Sequence, residues 1–195
     1  MSILKNAYLW NFIRNLVILP FEPGLINGDY TRIIKNELAL TDDETLIDIG
    51  CGTGRTSNIC TNYTGVDANE QFIKYAIKKH NKTFFAMDAS RLNFKDKSFD
   101  KAVILETMHH VPNDVFINSL NEAKRVTRKM IILADPIKQS KNNLFGRMLI
   151  ANDLGKYVRE KEKYISMIAS VLDIDKAIPF KVGVTQRLLV KCLLK

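Results

Sequence analysis

Five short apolar runs punctuate the chain at 45–49 (TLIDI), 63–67 (YTGVD), 83–87 (TFFAM), 101–106 (KAVILE) and 130–135 (MIILAD). Each is compact, β-branched and bounded by turn residues, the pattern of a buried strand. Between them, residues 70–80 (EQFIKYAIKKH) and 114–129 (DVFINSLNEAKRVTRK) repeat apolar positions at helical spacing, and Asp114 is suited to cap the second. Strands that alternate with helices build a parallel sheet covered on both faces. The end of the chain differs, because residues 180–184 (FKVGV) and 187–195 (RLLVKCLLK) are separated only by Thr185 and Gln186. That spacing predicts an antiparallel hairpin on the sheet edge. With 195 residues and no repeat or linker, the expectation is one α/β domain over 1–195, a doubly wound, Rossmann-like, mostly parallel sheet.

Three cysteines, Cys51, Cys60 and Cys192, have no CxxC pair and no metal-type spacing. They point to a reducing, cytoplasmic setting without a disulfide framework or a metal site. Residues 6–21 (NAYLWNFIRNLVILPF) are apolar, but Arg14 interrupts them and the run is too short to span a bilayer. They read as an amphipathic helix covering a pocket or core, with peripheral membrane contact as the other reading. The net charge of +8 is uneven. Residues 1–119 carry 13 Lys and Arg against 14 Asp and Glu, whereas residues 120–195 carry 16 against 7. A solvated surface or an anionic partner accounts for that excess.

The run 45–49 leads into Gly50, Gly52 and Gly54, with Asp48 just before them. In an open α/β sheet, ligands bind at the carboxyl ends of the strands where strand order reverses. A glycine loop after the first strand and before a helix occupies that place. The dinucleotide fingerprint G-x-G-x-x-G/A does not fit, because the third position is Arg55. Asp48 would also set a negative charge beside a pyrophosphate. A ligand with a sulfonium and an ammonium, S-adenosylmethionine (SAM), removes that objection.

At this point the sequence resembles a known family. DIGCGTG (48–54) is very similar to the first motif of class I SAM-dependent methyltransferases, and the similarity continues in order through GVDANEQFI (65–73), AMDAS (86–90) and FDKAVILETMHHVP (99–112). It covers roughly residues 40–136 and is closest to the small-molecule branch of the ubiquinone- and menaquinone-pathway enzymes. The resemblance implies the seven-stranded class I methyltransferase fold, SAM as cofactor and S-adenosylhomocysteine as product. The cofactor contacts it implies are Asp48, Gly50, Cys51, Gly52, Thr53, Gly54, Arg55, Asp67, Ala68, Asp88, Ala89 and Glu106. Asp67 is expected at the ribose hydroxyls, Asp88 near the adenine amino group and the Ala89 backbone near the ring. The family's Pro-Gly-Gly turn before the fifth strand is missing from RVTRKMIIL, so that connection should be tighter.

Methyl transfer to a hydroxyl or ammonium needs a base, and Glu106, His109 and His110 follow the fourth strand as candidates. His80, ending a charged helix, is expected on the surface. No Asn/Asp-Pro-Pro-Tyr/Phe signature follows the fourth strand, which disfavours methylation of nucleobase amines. Acceptor specificity is expected from an N-terminal helical lid over 1–35 and a helical insert over about 137–176. Tyr30 is expected to reach the cofactor's carboxylate or the acceptor. The insert mixes Leu, Phe and Met with Arg147, Lys156, Arg159, Lys161 and Lys163, a pattern that suits an amphiphile. The reading is a methyltransferase acting on a small apolar or amphiphilic acceptor, a lipid, isoprenoid or aromatic compound. RNA methylation and a non-catalytic SAM-binding partner subunit are the alternatives.

Overall fold

A computed structural model describes residues 29–152 and 155–195. The expected helix over 6–21, with most of the lid over 1–35, lies outside the described residues. Seven strands form one sheet: β1 (Leu46–Ile49), β2 (Tyr63–Asp67), β3 (Thr83–Ala86), β4 (Phe99–Leu105), β5 (Thr127–Pro136), β6 (Ile174–Val182) and β7 (Thr185–Leu193). Their order is β3-β2-β1-β4-β5-β7-β6. The first five run parallel, and β7 pairs antiparallel with both β5 and β6. The chain order reverses between β1 and β4, so ligands are expected at the carboxyl ends of those two strands.

Side chains alternate across the central strands and build a core on each face. Ile47, Ile49, Ala102, Ile104, Ile131 and Leu133 pack with helices α3 (Asn113–Val126) and α5 (Lys161–Ala169). Leu46, Val103, Leu105, Ile132 and Ala134 pack with α1 (Asp29–Leu38) and α2 (Glu70–Lys79). A further helix, α4 (Leu144–Asn152), lies within the insert between β5 and β6.

Four local expectations are corrected. The glycine loop leads into one 3-10 turn, Ser57–Ile59, and not an α-helix. Residues 55–62 include Thr56, Ser57, Asn58, Thr61 and Asn62, all weak helix formers. The connection is still long enough for a parallel crossover, which needs about a dozen residues. Helix α3 ends at Val126 instead of 129, and Thr127 pairs with Phe99 in the ladder. The helix runs straight into β5, which is the tight connection that the missing Pro-Gly-Gly turn implies. Asp114 lies in the first turn of α3, behind an N-cap at Pro112, and interacts with the helix dipole without capping. The hairpin turns at Gly183–Val184, because Val182 pairs with Thr185, and β6 reaches back to Ile174. Gly183 has φ 55° at the first central position, where a two-residue hairpin of the II′ type places glycine.

Candidate active site

The glycine loop is built by close approach. Gly50 has φ 81°, and any Cβ there would collide with Thr107 from the loop after β4. Gly54 has φ 77° and meets the rings of Phe84 and His80 in the same way. Gly52 differs: its φ is 55°, but a Cβ would meet nothing within 4 Å among the described residues. Its backbone therefore borders open space, the approach a ligand needs.

Two carboxylates hold this loop. Asp67, at the end of β2, accepts from Gly52 N at 2.8 Å through one oxygen and from Asn69 N at 2.8 Å through the other. Burial raises its pKa while those two bonds lower it, with a net rise. Each oxygen keeps a second acceptor site. Asp48 is buried, and its Oδ2 accepts from Thr56 Oγ1 and from Tyr63 OH, the latter at 2.7 Å. Its Oδ1 has no hydrogen-bond partner among the described residues. Burial pushes Asp48 from 3.8 to about 6, although the Thr56 and Tyr63 bonds favour the charged form.

His80 is half-buried beneath the loop, its Nε2 lying 3.2 Å from the Thr53 carbonyl and its ring beside Phe84. The expectation of a surface histidine is corrected here. The short 3-10 crossover lets the end of α2 close against the glycine loop.

The other half of the site lies at the ends of β4, β5 and β7. Glu106 has φ 52°, a left-handed conformation rare for a side chain other than glycine. Its Oε1 accepts from Arg187 Nε of β7 at 2.8 Å. Burial raises the Glu106 pKa, with Arg187 opposing. Thr107 Oγ1 donates to the Gly50 carbonyl at 3.1 Å and so ties this loop to the glycine loop.

His109 and His110 follow in a 3-10 turn, Met108–His110. The structure separates them: His110 is exposed, whereas His109 is buried with its Nδ1 2.8 Å from Asp135 Oδ1. The Tyr30 hydroxyl is buried and has no hydrogen-bond partner among the described residues. Burial raises its pKa well above 10.0, and the charges acting on it are Glu106, Arg187, Asp135 and Asp48.

Arg159 is the buried cation of the insert. It donates to the carbonyls of Met108 at 2.6 Å, Val111 at 2.8 Å and Tyr157 at 3.0 Å, and to Asn113 Oδ1 at 3.0 Å. Its guanidinium also lies over the Phe116 ring, 4.7 Å from the centroid. It pins the insert to the loop after β4.

Comparisons with known proteins agree with this fold. The methyltransferase domain family matches residues 47–133. The domain resembles an uncharacterized protein of Methanocaldococcus jannaschii, at 39% identity over 82 residues, 40% of this chain and 33% of that protein. It also resembles the fatty-acid O-methyltransferase of Mycolicibacterium smegmatis, at 36% identity over 98 residues, 45% of this chain and 34% of that one. The chain spans about a third of the length of the curated relatives it matches. The fold is shared with magnesium protoporphyrin IX methyltransferase of Synechocystis, solved with SAH bound, with a TM-score of 0.68 and 13% identity over 87% of this chain and 84% of that one.

Within the matched region, Asp48, Gly50, Cys51, Gly52, Thr53, Gly54, Asp67, Glu106 and His109 converge on the strand ends. Cys51 is buried with its thiol pKa raised by burial, and Thr53 is buried with its carbonyl facing His80. Arg55 and Ala68 are exposed on the flanks. Asp88 is exposed, and its Oδ1 accepts from Ser90 N and Oγ. Ala89 packs against the core. Two site residues were missed in the sequence, Asp135 and Arg187. Asp135 ends β5, next to β4, so the rule that ligand sites lie at strand ends flags it. Arg187 has no sequence signal, because it reaches the site only through the reversed strand β7.

Much of the C-terminal charge is spent internally. Arg125 pairs with Glu122 and Asp96, Arg128 with Asp100, Lys129 with Glu44 and Asp100, and Lys176 and Lys191 with Glu37. Arg147, Lys156, Lys161 and Lys163 are exposed. Among the described residues no three His, Cys, Asp or Glu group could hold a metal, and no helix is long and apolar enough to cross a membrane.

Proposed function

We propose that the protein transfers the methyl group of SAM to a small apolar or amphiphilic acceptor. One observation carries the reading. The Gly52 amide, bound to the Asp67 carboxylate, borders open space at the point where strand order reverses. In this reading Asp67 accepts the ribose hydroxyls, and Asp48 faces the cationic methionine part. The backbone of 50–55 lies along the cofactor, with Ala68, Asp88 and Ala89 on its adenine side. Tyr30 and Glu106 stand between cofactor and acceptor. The insert over 137–176 supplies the acceptor side, where Leu144, Phe145 and Met148 of α4 expose apolar surface. Similarity to a fatty-acid O-methyltransferase supports a lipid acceptor. The internal pairing of the basic residues leaves less free charge for RNA than their count suggests.

The test is calorimetric. SAM should bind, NAD should not, and Asp67→Ala should weaken SAM by about 1.5–3 kcal/mol, the worth of a hydrogen bond to a charged group. Tight NAD binding without SAM binding refutes the reading.

A further inference from the structure

Exposed apolar side chains gather on one helix of the insert. Leu144 is 72% exposed, Met148 50% and Phe145 41%, all on α4. At about 100° per residue they fall within one arc of about 100° around the helix. Gly146 is buried and Leu149 and Ile150 are half-buried, turned away from that arc. Arg147 borders the arc beside Leu144 and is exposed. Asn143 fixes this orientation: its Oδ1 accepts from Gly146 N at 2.9 Å, and its Nδ2 donates to the Val184 carbonyl at 2.7 Å. The hairpin turn is thereby held at the start of α4, and Val184 is exposed there as well. Contiguous exposed apolar surface of this kind marks a contact.

The charge around the patch is of one sign. Over residues 141–156 the chain carries Lys141, Arg147 and Lys156 against a single acid, Asp153. All three cations are exposed, and none makes an ion pair among the described residues. Arg125, Arg128, Lys129, Lys176 and Lys191 differ, since each is paired with a carboxylate. The positive charge left over is therefore concentrated beside the apolar face.

We infer that α4 docks on the surface of an anionic lipid bilayer, with Leu144, Phe145 and Met148 among the acyl chains and Lys141, Arg147 and Lys156 at the headgroup phosphates. Apolar burial holds such a helix in the plane of the interface, and the flanking cations select negative headgroups. A second copy fits the face less well. A two-fold contact through α4 would bring these cations toward their own equivalents, and like charges oppose that. No helix among the described residues is long and apolar enough to cross the membrane, so the contact stays at its surface.

The docking face belongs to the acceptor side. Beyond α4 the chain returns to the loop after β4, where Gly155 packs on the His109 ring and Tyr157 N donates to the His109 carbonyl at 2.9 Å. On the methyl transfer proposed above, an amphiphilic acceptor then reaches the site from the bilayer and not from bulk water. The docking itself does not depend on that reading.

Sedimentation of the full chain with extruded vesicles, without SAM, tests the docking. The protein should bind vesicles of phosphatidylcholine mixed with phosphatidylglycerol and not those of phosphatidylcholine alone, and added salt should weaken the binding. Leu144→Ser should lower the partition about tenfold or more, the worth of burying one such side chain. Arg147→Glu should lower it about fivefold or more, since one cation near an anionic surface counts for about that. Both side chains are exposed, so thermal melts of the variants should match the wild type. No binding, equal binding to the neutral vesicles, or binding undiminished by Leu144→Ser overturns the inference. The last result would place the contact elsewhere on the chain, such as residues 6–21. A dimer in sedimentation velocity that Leu144→Ser abolishes also overturns it, because a second copy then covers the face. A chain that binds SAM but no vesicles overturns the docking alone. One that binds anionic vesicles but not SAM overturns the proposed function and leaves the docking standing.

Discussion

Lys101 is a buried lysine on β4, and all three of its ammonium protons are used. Nζ donates to the carbonyls of Leu38 at 2.8 Å and Ala39 at 3.1 Å, and pairs with Glu44 Oε2 at 2.8 Å. It therefore caps the carboxyl end of α1 and joins that helix to the sheet. Lys101→Met keeps the length and removes the charge. Bonds to a charged group are worth about 1.5–3 kcal/mol each, but relief from burying the ammonium offsets much of their sum. Glu44 also keeps Lys129 at 2.8 Å and the Thr41 amide at 3.1 Å. A net loss of about 2–3 kcal/mol follows, near the low end for a broken buried pair.

The loss should depend on pH. Burial alone would raise the Glu44 pKa, but the bonds from Lys101, Lys129 and Thr41 outweigh it and bring it from 4.5 to about 2. A depressed carboxylate contributes stability that is present above 4.5 and fades as pH falls toward 2. The variant has less of that contribution to lose, so the gap between the two proteins narrows over that interval. Urea unfolding followed by circular dichroism, at pH 7 and in steps below 4.5, measures it. At pH 7 the midpoint should fall by about 1 M, given slopes of about 2–3 kcal/mol/M for a chain of this size. An unchanged midpoint, or a gap equally wide at every pH, would refute the reasoning.

Asp48 works in the opposite sense. Its folded pKa of about 6 lies above 3.8, so its contribution is fully present below 3.8 and lost as pH rises through 6. Asp48→Asn should therefore stabilise the ligand-free protein at pH 7 by roughly 2 kcal/mol while weakening SAM, and a thermal melt beside a calorimetric titration checks both. Ala39 follows α1 with φ 43° and its amide bonds the Lys35 carbonyl at 2.9 Å, the left-handed cap position that favours glycine. Ala39→Gly should raise the unfolding free energy by up to about 1 kcal/mol, and a fall in the melting temperature would count against the assignment.

The order of five strands, the glycine loop and the acidic end of β2 were legible in the sequence, because each is written in local composition and periodicity. A strand that carries Asp48 and ends on Ile49 before three alternate glycines has its own geometry, since Gly50, Gly52 and Gly54 all adopt positive φ. The connection between loop and β2 reads as a helix by its place in the strand–helix alternation, but Thr56, Ser57, Asn58, Thr61 and Asn62 are weak helix formers and the chain makes one 3-10 turn there. The hairpin turn was misplaced by two residues, since Thr185 reads as a turn residue until its hydroxyl is seen to bond Val182. Only tertiary structure chose between the adjacent histidines. Nothing in Met108–His109–His110 differs enough to rank them; burial beside Asp135, 26 residues further along, decides it. Arg159 and Arg187 likewise look like surface charge in the sequence. One is consumed by carbonyls 46 to 51 residues away, and the other by Glu106 across 81 residues. Periodicity reports which way a side chain faces, while the partner waiting there is set by strand order, which no local pattern contains.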